Sequence, residues 1–258
     1  MSSAGAPLHA RTAGSGPPLL LLHGIGSSAT SWQRQFDRLA GEFSLIAPDL
    51  RGYGDSPDPA GPPSLDAVAD DLAALLGGRP AHVAGVSFGA LAALALARRH
   101  PPLVRSLVLS DTTLGRGTLA AGERDRWVAD RYALAAELQL RASERAREIA
   151  GPAADAGVLA EIAANMRRAR PAGYRYVTDI IAATDALPWL DEVAVPTLVV
   201  CGEFDTVVGT ALSQTIAARI PHAKLVTIPG AGHAPNVEAP DAFAAALRTF
   251  VASLEAPA

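Results

Sequence analysis

Six short apolar runs punctuate the chain, and each ends on glycine, proline or a polar residue. They are Leu19–Leu22, stopped by His23-Gly24; Phe43–Ala47, by Pro48-Asp49; and Ala81–Val86, by Ser87. The later three are Leu107–Leu109, stopped by Ser110-Asp111; Thr197–Cys201, by Gly202; and Leu225–Ile228, by Pro229-Gly230. None alternates with polar residues, which predicts strands buried on both faces, as in a parallel sheet. Helical patterns lie between them. Leu65, Val68, Ala69, Leu72, Leu75 and Leu76 recur at helical spacing behind Ser64, a good N-cap. Phe88–Arg99 is rich in alanine and leucine, and Thr210–Arg219 and Pro240–Leu254 follow, the last opening on a first-turn proline. Strands alternating with helices predict a doubly wound α/β fold, with right-handed crossovers and helices on both faces.

From Thr113 to Leu187 that rhythm stops. The segment is rich in Ala, Arg and Glu, with breaks at Gly151-Pro152 and Pro171-Ala172-Gly173, and carries no strand pattern. It predicts several helices inserted between two strands. Residues 1–112 and 188–258 then form one α/β core, and 113–187 an inserted helical cap. The last residues, Glu255 to Ala258, are expected to fray.

Composition narrows the class. Of 258 residues, 49% are hydrophobic, enough for one large core, and 19% are charged, too few for a disordered chain. The net charge of -4 argues against nucleic acid and anionic membrane as partners. The single cysteine, Cys201, allows no internal disulfide. Met1 to Pro18 lacks the pattern of a secretory leader, and Leu19–Leu22 is far too short to span a bilayer. A soluble cytoplasmic protein, monomer or homodimer, is the expectation. Gly14-Ser15-Gly16 runs into Pro17-Pro18 and a strand rather than a helix, so it is no dinucleotide fingerprint. There is no metal-binding motif, and no cofactor is expected.

The chemistry starts at Gly85-Val86-Ser87-Phe88-Gly89. This G-x-S-x-G sits after an apolar strand and before a helix, where a strained turn lifts the serine hydroxyl above the sheet edge. A serine hydroxyl needs a general base. His233, in Gly230-Ala231-Gly232-His233-Ala234-Pro235, follows the last run. His9, His82, His100 and His222 read as element ends or surface positions. The imidazole needs an orienting acid, and Asp205 follows the fifth run. Asp111, after the fourth run, is the rival; its alternative role is to cap or bond nearby backbone. Asp205 is preferred because it lies one strand before the histidine loop.

Developing charge on a carbonyl oxygen needs preorganised N–H donors. The Phe88 amide, directly after the nucleophile, and the Ile25 amide, in His23-Gly24-Ile25-Gly26, can supply them. His23 is expected to fix that loop through its side chain. In the polar loop from Pro48 to Ser56, Asp49 and Arg51 are expected to pair with each other.

Taken in order, these motifs resemble the α/β-hydrolase superfamily over nearly the whole chain. They are His23 to Gly26 with Trp32, Asp49 to Ser56, Gly85 to Gly89, Pro196 to Asp205, and Gly232-His233. The resemblance implies a mostly parallel eight-stranded sheet, a Ser-Asp-His triad of Ser87, Asp205 and His233, and a small helical cap after the sixth strand. Ser87 stands where epoxide hydrolases and haloalkane dehalogenases carry an aspartate. Gly26-Ser27-Ser28-Ala29 differs from the Gly-Pro-Gly-Ala-like stretch of carbon–carbon bond hydrolases. The chain looks most like bacterial carboxylesterases and the 3-oxoadipate enol-lactonase group, whose substrate carries a carboxylate. Arg167, Arg168 and Arg170 are either a site for such a carboxylate or a solvated helix face. Trp32, Phe88, Trp127, Met166, Tyr174 and Trp189 are either walls of a substrate cleft or ordinary core.

The expected function is hydrolysis of a small-molecule ester or lactone through an acyl-enzyme on Ser87. Carbon–carbon hydrolysis or perhydrolysis on the same triad, and a ligand receptor that turns over slowly, are the alternatives.

Overall fold

The computed structural model describes residues 6–255. Seven strands form one sheet: β1 (Ala10–Ala13), β2 (Pro18–Leu22), β3 (Ser44–Pro48), β4 (Ala81–Val86), β5 (Val104–Ser110), β6 (Thr197–Gly202) and β7 (Lys224–Ile228). Their order across the sheet is β1-β3-β2-β4-β5-β6-β7. Only β1 is antiparallel to its neighbour; β2 to β7 are parallel. The six apolar runs are β2 to β7. The sheet has seven strands among the described residues, not eight, and the helical insertion accordingly follows the fifth strand, not the sixth. β1 left no apolar signal because it is a half-exposed edge strand, Ala-Arg-Thr-Ala, that buries little.

Both faces of the sheet are covered, and alternate residues of one strand serve different cores. Leu20 and Leu22 of β2 point into a core shared with the helices α2 (Leu65–Leu76), α3 (Phe88–Arg99) and α7 (Thr210–Arg219). Leu19 and Leu21 point the other way, into a core shared with α1 (Gln33–Leu39) and α9 (Pro240–Glu255). All four leucines are 0% exposed. Their burial alone is worth about 6–12 kcal/mol, comparable with the net stability of a whole domain, so the register of β2 is firmly set. Ser64 caps α2, its Oγ accepting the Ala67 N–H at 3.1 Å. Residues 256–258, expected to fray, lie outside the described residues.

Between β5 and β6 the chain forms α4 (Ala121–Ile149), α5 (Ala156–Arg167) and α6 (Pro171–Ala183). Asp155 caps α5 through the Val158 N–H at 2.8 Å, and Pro171 opens α6. The two ends of this insertion are tied together. The Arg116 amide donates to Ile181 O at 2.8 Å and the Gly117 amide to Thr184 O at 2.7 Å. The insertion also meets the rest of the chain at two glycine-on-glycine crossings. A Cβ on Gly52 would lie 2.2 Å from Gly173 Cα, and one on Gly232 would lie 2.5 Å from Gly151 N.

Candidate active site

Ser87 joins β4 to α3 with φ 57° and ψ -117°, a backbone conformation that side-chain-bearing residues rarely adopt. The glycines on either side are required by packing. A Cβ on Gly89 would sit 2.1 Å from Leu22 O, and one on Gly85 would sit 2.3 Å from the Gly89 carbonyl carbon. The turn is held by its neighbour: the Ser87 amide donates to Ser110 O at 2.8 Å. Phe88 is the first residue of α3, so its amide has no intrahelical acceptor. The Phe88 side chain points into the core and is no wall of the cavity described below.

His233 enters from a loop fastened to the insertion. Its amide donates to Ile149 O, the last residue of α4, at 2.8 Å. Glu238 ties the same loop at two points and the insertion at a third. Its Oε2 accepts the amides of Gly151 at 2.6 Å and Gly232 at 2.9 Å, and its Oε1 accepts Ala234 at 3.0 Å.

The His233 Nδ1 lies 3.0 Å from Asp205 Oδ1, which also accepts the Val207 amide at 2.8 Å. Burial works against the Asp205 charge, but the hydrogen bond and charge of His233 outweigh it and hold its carboxyl below the usual range. An ionised carboxylate can only accept, so the proton of this contact is on Nδ1. The Nε2 makes no hydrogen bond among the described residues.

Asp111 lies beside this pair. It adopts φ 45°, and its Oδ1 accepts the Gly202 amide at 2.9 Å and its Oδ2 the Ser110 hydroxyl at 2.7 Å. Burial pushes its carboxyl up to about 7; the His233 charge opposes that and the Asp205 charge adds to it.

His23 is buried with both ring nitrogens engaged. Nδ1 donates to Gly24 O at 2.9 Å, and Nε2 accepts the Leu50 amide at 3.0 Å. Burial lowers its affinity for a second proton, so the ring is neutral. It thereby fixes the loop that carries Ile25, whose amide has no acceptor among the described residues. A Cβ on Gly24 would lie 3.2 Å from Ser87 Cβ, so this loop runs directly beside the nucleophile.

Ser87, His233 and Ile25 open into one cavity beneath the insertion, lined mainly by Leu138, Ile149, Ile162, Met166, Tyr174 and Val237. Of the aromatic and thioether residues singled out from sequence, Trp127, Met166 and Tyr174 line it. Trp32 does not. It is 0% exposed on the other side of the sheet, with its ring centroid 5.8 Å from that of Phe243. Trp189 also lies outside, under the Arg98 guanidinium at 5.0 Å. The turn of Trp32 touches α5, but its ring is turned into the core against Phe243; the turn of Trp189 packs on α3 and α7.

The arginines placed from sequence at 167, 168 and 170 are also outside the cavity. Arg167 donates to Ser143 Oγ at 2.8 Å, Arg168 pairs with Asp55 at 3.5 Å, and Arg170 is bound to Gly54 O at 2.6 Å and to Asp58. The cavity arginines are Arg116, Arg131 and Arg145, which sequence reasoning missed. Trp127 and Arg131 stand one helical turn apart and so share one face of α4.

Two further expectations change. Asp49 does not pair with Arg51; it accepts the amides of Ala29 at 2.8 Å and Asp55 at 3.1 Å, while Arg51 pairs with Asp71 at 2.6 Å. His82 is no surface residue but lies buried in β4, 2.8 Å from the Ser106 hydroxyl.

A profile of the alpha/beta hydrolase fold matches residues 17–240. The pimeloyl-(acyl-carrier protein) methyl ester esterase of Neisseria meningitidis is 32% identical over 241 residues, spanning 90% of this chain and 92% of its own length. The 3-oxoadipate enol-lactonase 2 of Acinetobacter baylyi is 27% identical over 241 residues, spanning 88% and 85%. A malate-bound thermophilic esterase from Thermogutta terrifontis has a TM-score of 0.87 and 28% identity, covering 96% of this chain and 94% of that one. The matched segment takes in the strand ends, the serine turn and the histidine loop described above, and the chain belongs to the α/β-hydrolase fold family.

Proposed function

We propose that the protein hydrolyses a carboxylic ester or lactone of a small molecule through an acyl-enzyme on Ser87. The observation that carries this reading is the 3.0 Å contact of Asp205 with the Nδ1 of His233, a residue that lines the same cavity as the strained Ser87 turn.

Ser87 Oγ attacks the carbonyl carbon while His233 Nε2 takes its proton. Asp205 orients the ring and stabilises its charged form. The negative charge that develops on the carbonyl oxygen is met by the amides of Ile25 and Phe88, neither of which is spent on another acceptor. Collapse breaks the bond to the leaving alkoxide, which receives the proton from His233. In a lactone the alkoxide stays attached as the far end of the acyl chain. Water then attacks the acyl-enzyme, gives its proton to Nε2, and releases the acid and free Ser87. Relatives named for a methyl ester and for an enol-lactone support both kinds of carbonyl as substrates. The lone buried Cys201 is compatible with a reducing cytoplasm as the site of action.

The test is a panel of short and long acyl esters, lactones and an enol-lactone, run on wild type and Ser87→Ala. We expect turnover of at least one ester or lactone by wild type, and a loss of about 1,000-fold or more in Ser87→Ala. Activity near the wild-type level in the variant would overturn the assignment.

A further inference from the structure

Two arginines in the Ser87 cavity have no acidic partner among the described residues. The guanidinium groups of Arg116 and Arg131 both lie against the Trp127 ring, with Cζ 5.0 Å and 5.4 Å from its centroid. Among the described residues, neither donates a hydrogen bond from its side chain and neither is paired with a carboxylate. Arg145, in the same cavity, is different: it is held by Glu148 at 2.7 Å. The Trp127 indole N–H is also shielded from water and has no acceptor.

This is an unbalanced arrangement. Like charges drawn together in a partly buried place oppose each other, and a buried donor without an acceptor costs free energy. Burial and the neighbouring Arg131 charge hold Arg116 below the usual guanidinium value, with Glu123 acting weakly the other way. The groups are nevertheless fixed. The backbone at Arg116 and Gly117 is tied to the end of α6, and Trp127 and Arg131 share one face of α4. An anion entering the cavity here would be offered two guanidinium forks, both resting on the Trp127 ring.

We propose that Arg116, Arg131 and Trp127 form an oxyanion-binding subsite in the cavity of Ser87, so that the ester or lactone cleaved here carries a second, acidic group, a carboxylate or a phosphate, away from the reacting carbonyl. The proposal rests on the reading of Ser87 given above. The apolar part of the lining, Leu138, Ile149, Ile162 and Met166, suits the hydrocarbon chain that joins the two ends.

The experiment compares monomethyl esters of four- to eight-carbon dicarboxylic acids, their dimethyl esters, and matching esters ending in a phosphate. Wild type should prefer an anionic ester to its neutral counterpart by about tenfold or more in kcat/KM. Arg116→Met and Arg131→Met should each lose most of that preference while neutral-ester hydrolysis persists. A preference unchanged in either variant, or parallel loss of both substrates, overturns the proposal. The carboxylate and phosphate arms identify which acid the subsite takes. Calorimetry of glutarate, adipate and inorganic phosphate with Ser87→Ala protein needs no turnover. Saturable binding that Arg116→Met abolishes supports the subsite; no binding of any of the three up to about 10 mM overturns it. Neutral-ester hydrolysis without anion preference sinks the subsite alone. Anion binding without hydrolysis of any ester sinks the acyl-transfer reading alone.

Discussion

Asp111 and Asp205 meet beside the His233 imidazole: a carboxyl oxygen of each and a ring nitrogen lie within 4.8 Å of one another. Their surroundings drive the two acids to opposite charge states. Asp205 is held below the usual range by the imidazole, and Asp111 is pushed up by burial to about 7. Two carboxylates this close cannot both ionise cheaply, so the proton goes to the one farther from water. Asp111 thus stands behind the acid that faces histidine, its own oxygens held by the Gly202 amide and the Ser110 hydroxyl.

The two acids should therefore respond differently to loss of charge. Asp205→Asn should lower kcat by about 1,000- to 10,000-fold, because it removes the acceptor that fixes the Nδ1–H tautomer. Asp111→Asn imitates the neutral form already present and should stay within about tenfold of wild type. Steady-state kinetics on both variants decides; equal losses would show that the two acids share one role.

Stability should carry the Asp111 proton as well. Its ordinary value is 3.8, and in the fold it is about 7, so between these values the folded protein holds a proton that the unfolded chain has released. Its contribution to stability is complete below pH 3.8 and is lost as pH rises to about 7. Asp205, held low, is ionised in both states over this window and adds no slope. His23 and His82 act the other way: burial lowers both from 6.5, so they favour folding more as pH rises through that value. The difference in Tm between Asp111→Asn and wild type isolates the aspartate. From about pH 5 to about pH 7 the variant should gain on wild type, then hold level to about pH 8. A difference constant across that range would refute the assignment.

Glu238 should matter for rate more than its distance from the reacting atoms implies. Glu238→Ala leaves the amides of Gly151, Gly232 and Ala234 without their acceptor. We expect a stability loss of about 2–5 kcal/mol by denaturant titration. We also expect kcat to fall about 10- to 100-fold with a smaller change in KM, because the His233 loop loses its fastening. Glu238→Gln keeps one oxygen and should fall between. An unchanged kcat in Glu238→Ala would show that Ile149 O alone holds the loop.

His23→Ala should damage the oxyanion loop without touching the nucleophile. It deletes the link from Gly24 O to the Leu50 amide. Labelling of Ser87 by a fluorophosphonate should persist at a reduced rate, and kcat should fall about 10- to 1,000-fold. A wild-type rate would mean that the Ile25 amide is held by other contacts.

Much of this was readable from the chain. β2 to β6 read as apolar runs because both of their faces are buried; β7 kept an apolar run although it is the other edge strand and mostly exposed, and β1 left none because an edge strand buries little. The serine turn was readable because close backbone approach at Gly85 and Gly89 excludes side chains. What stayed hidden depends on the rotation of long helices. Trp32 and Trp127 look alike in sequence, yet one packs on Phe243 and the other faces the cavity. The basic cluster at 167–170 drew the eye because it is dense, but density of charge marks ion pairs at a surface. The sparse Arg116 and Arg131 point inward, and only their place against Trp127 reveals it. Asp111 was legible as a rival to Asp205, but not as its companion, since burial by neighbours has no signature in spacing.

The tie between Arg116-Gly117 and Ile181–Thr184 brings the two ends of the helical insertion to one place. An insertion that leaves and returns at a single doorway can be exchanged as a cassette without moving the strands beneath. A transplanted cassette would still have to be cut to fit its host. It needs glycine at the positions of Gly151 and Gly173, where its backbone presses on Gly232 and Gly52 with no room for a methyl group. The helices over the cavity thus meet the strands beneath across two bare patches of main chain, with their own two ends knotted together at the rim.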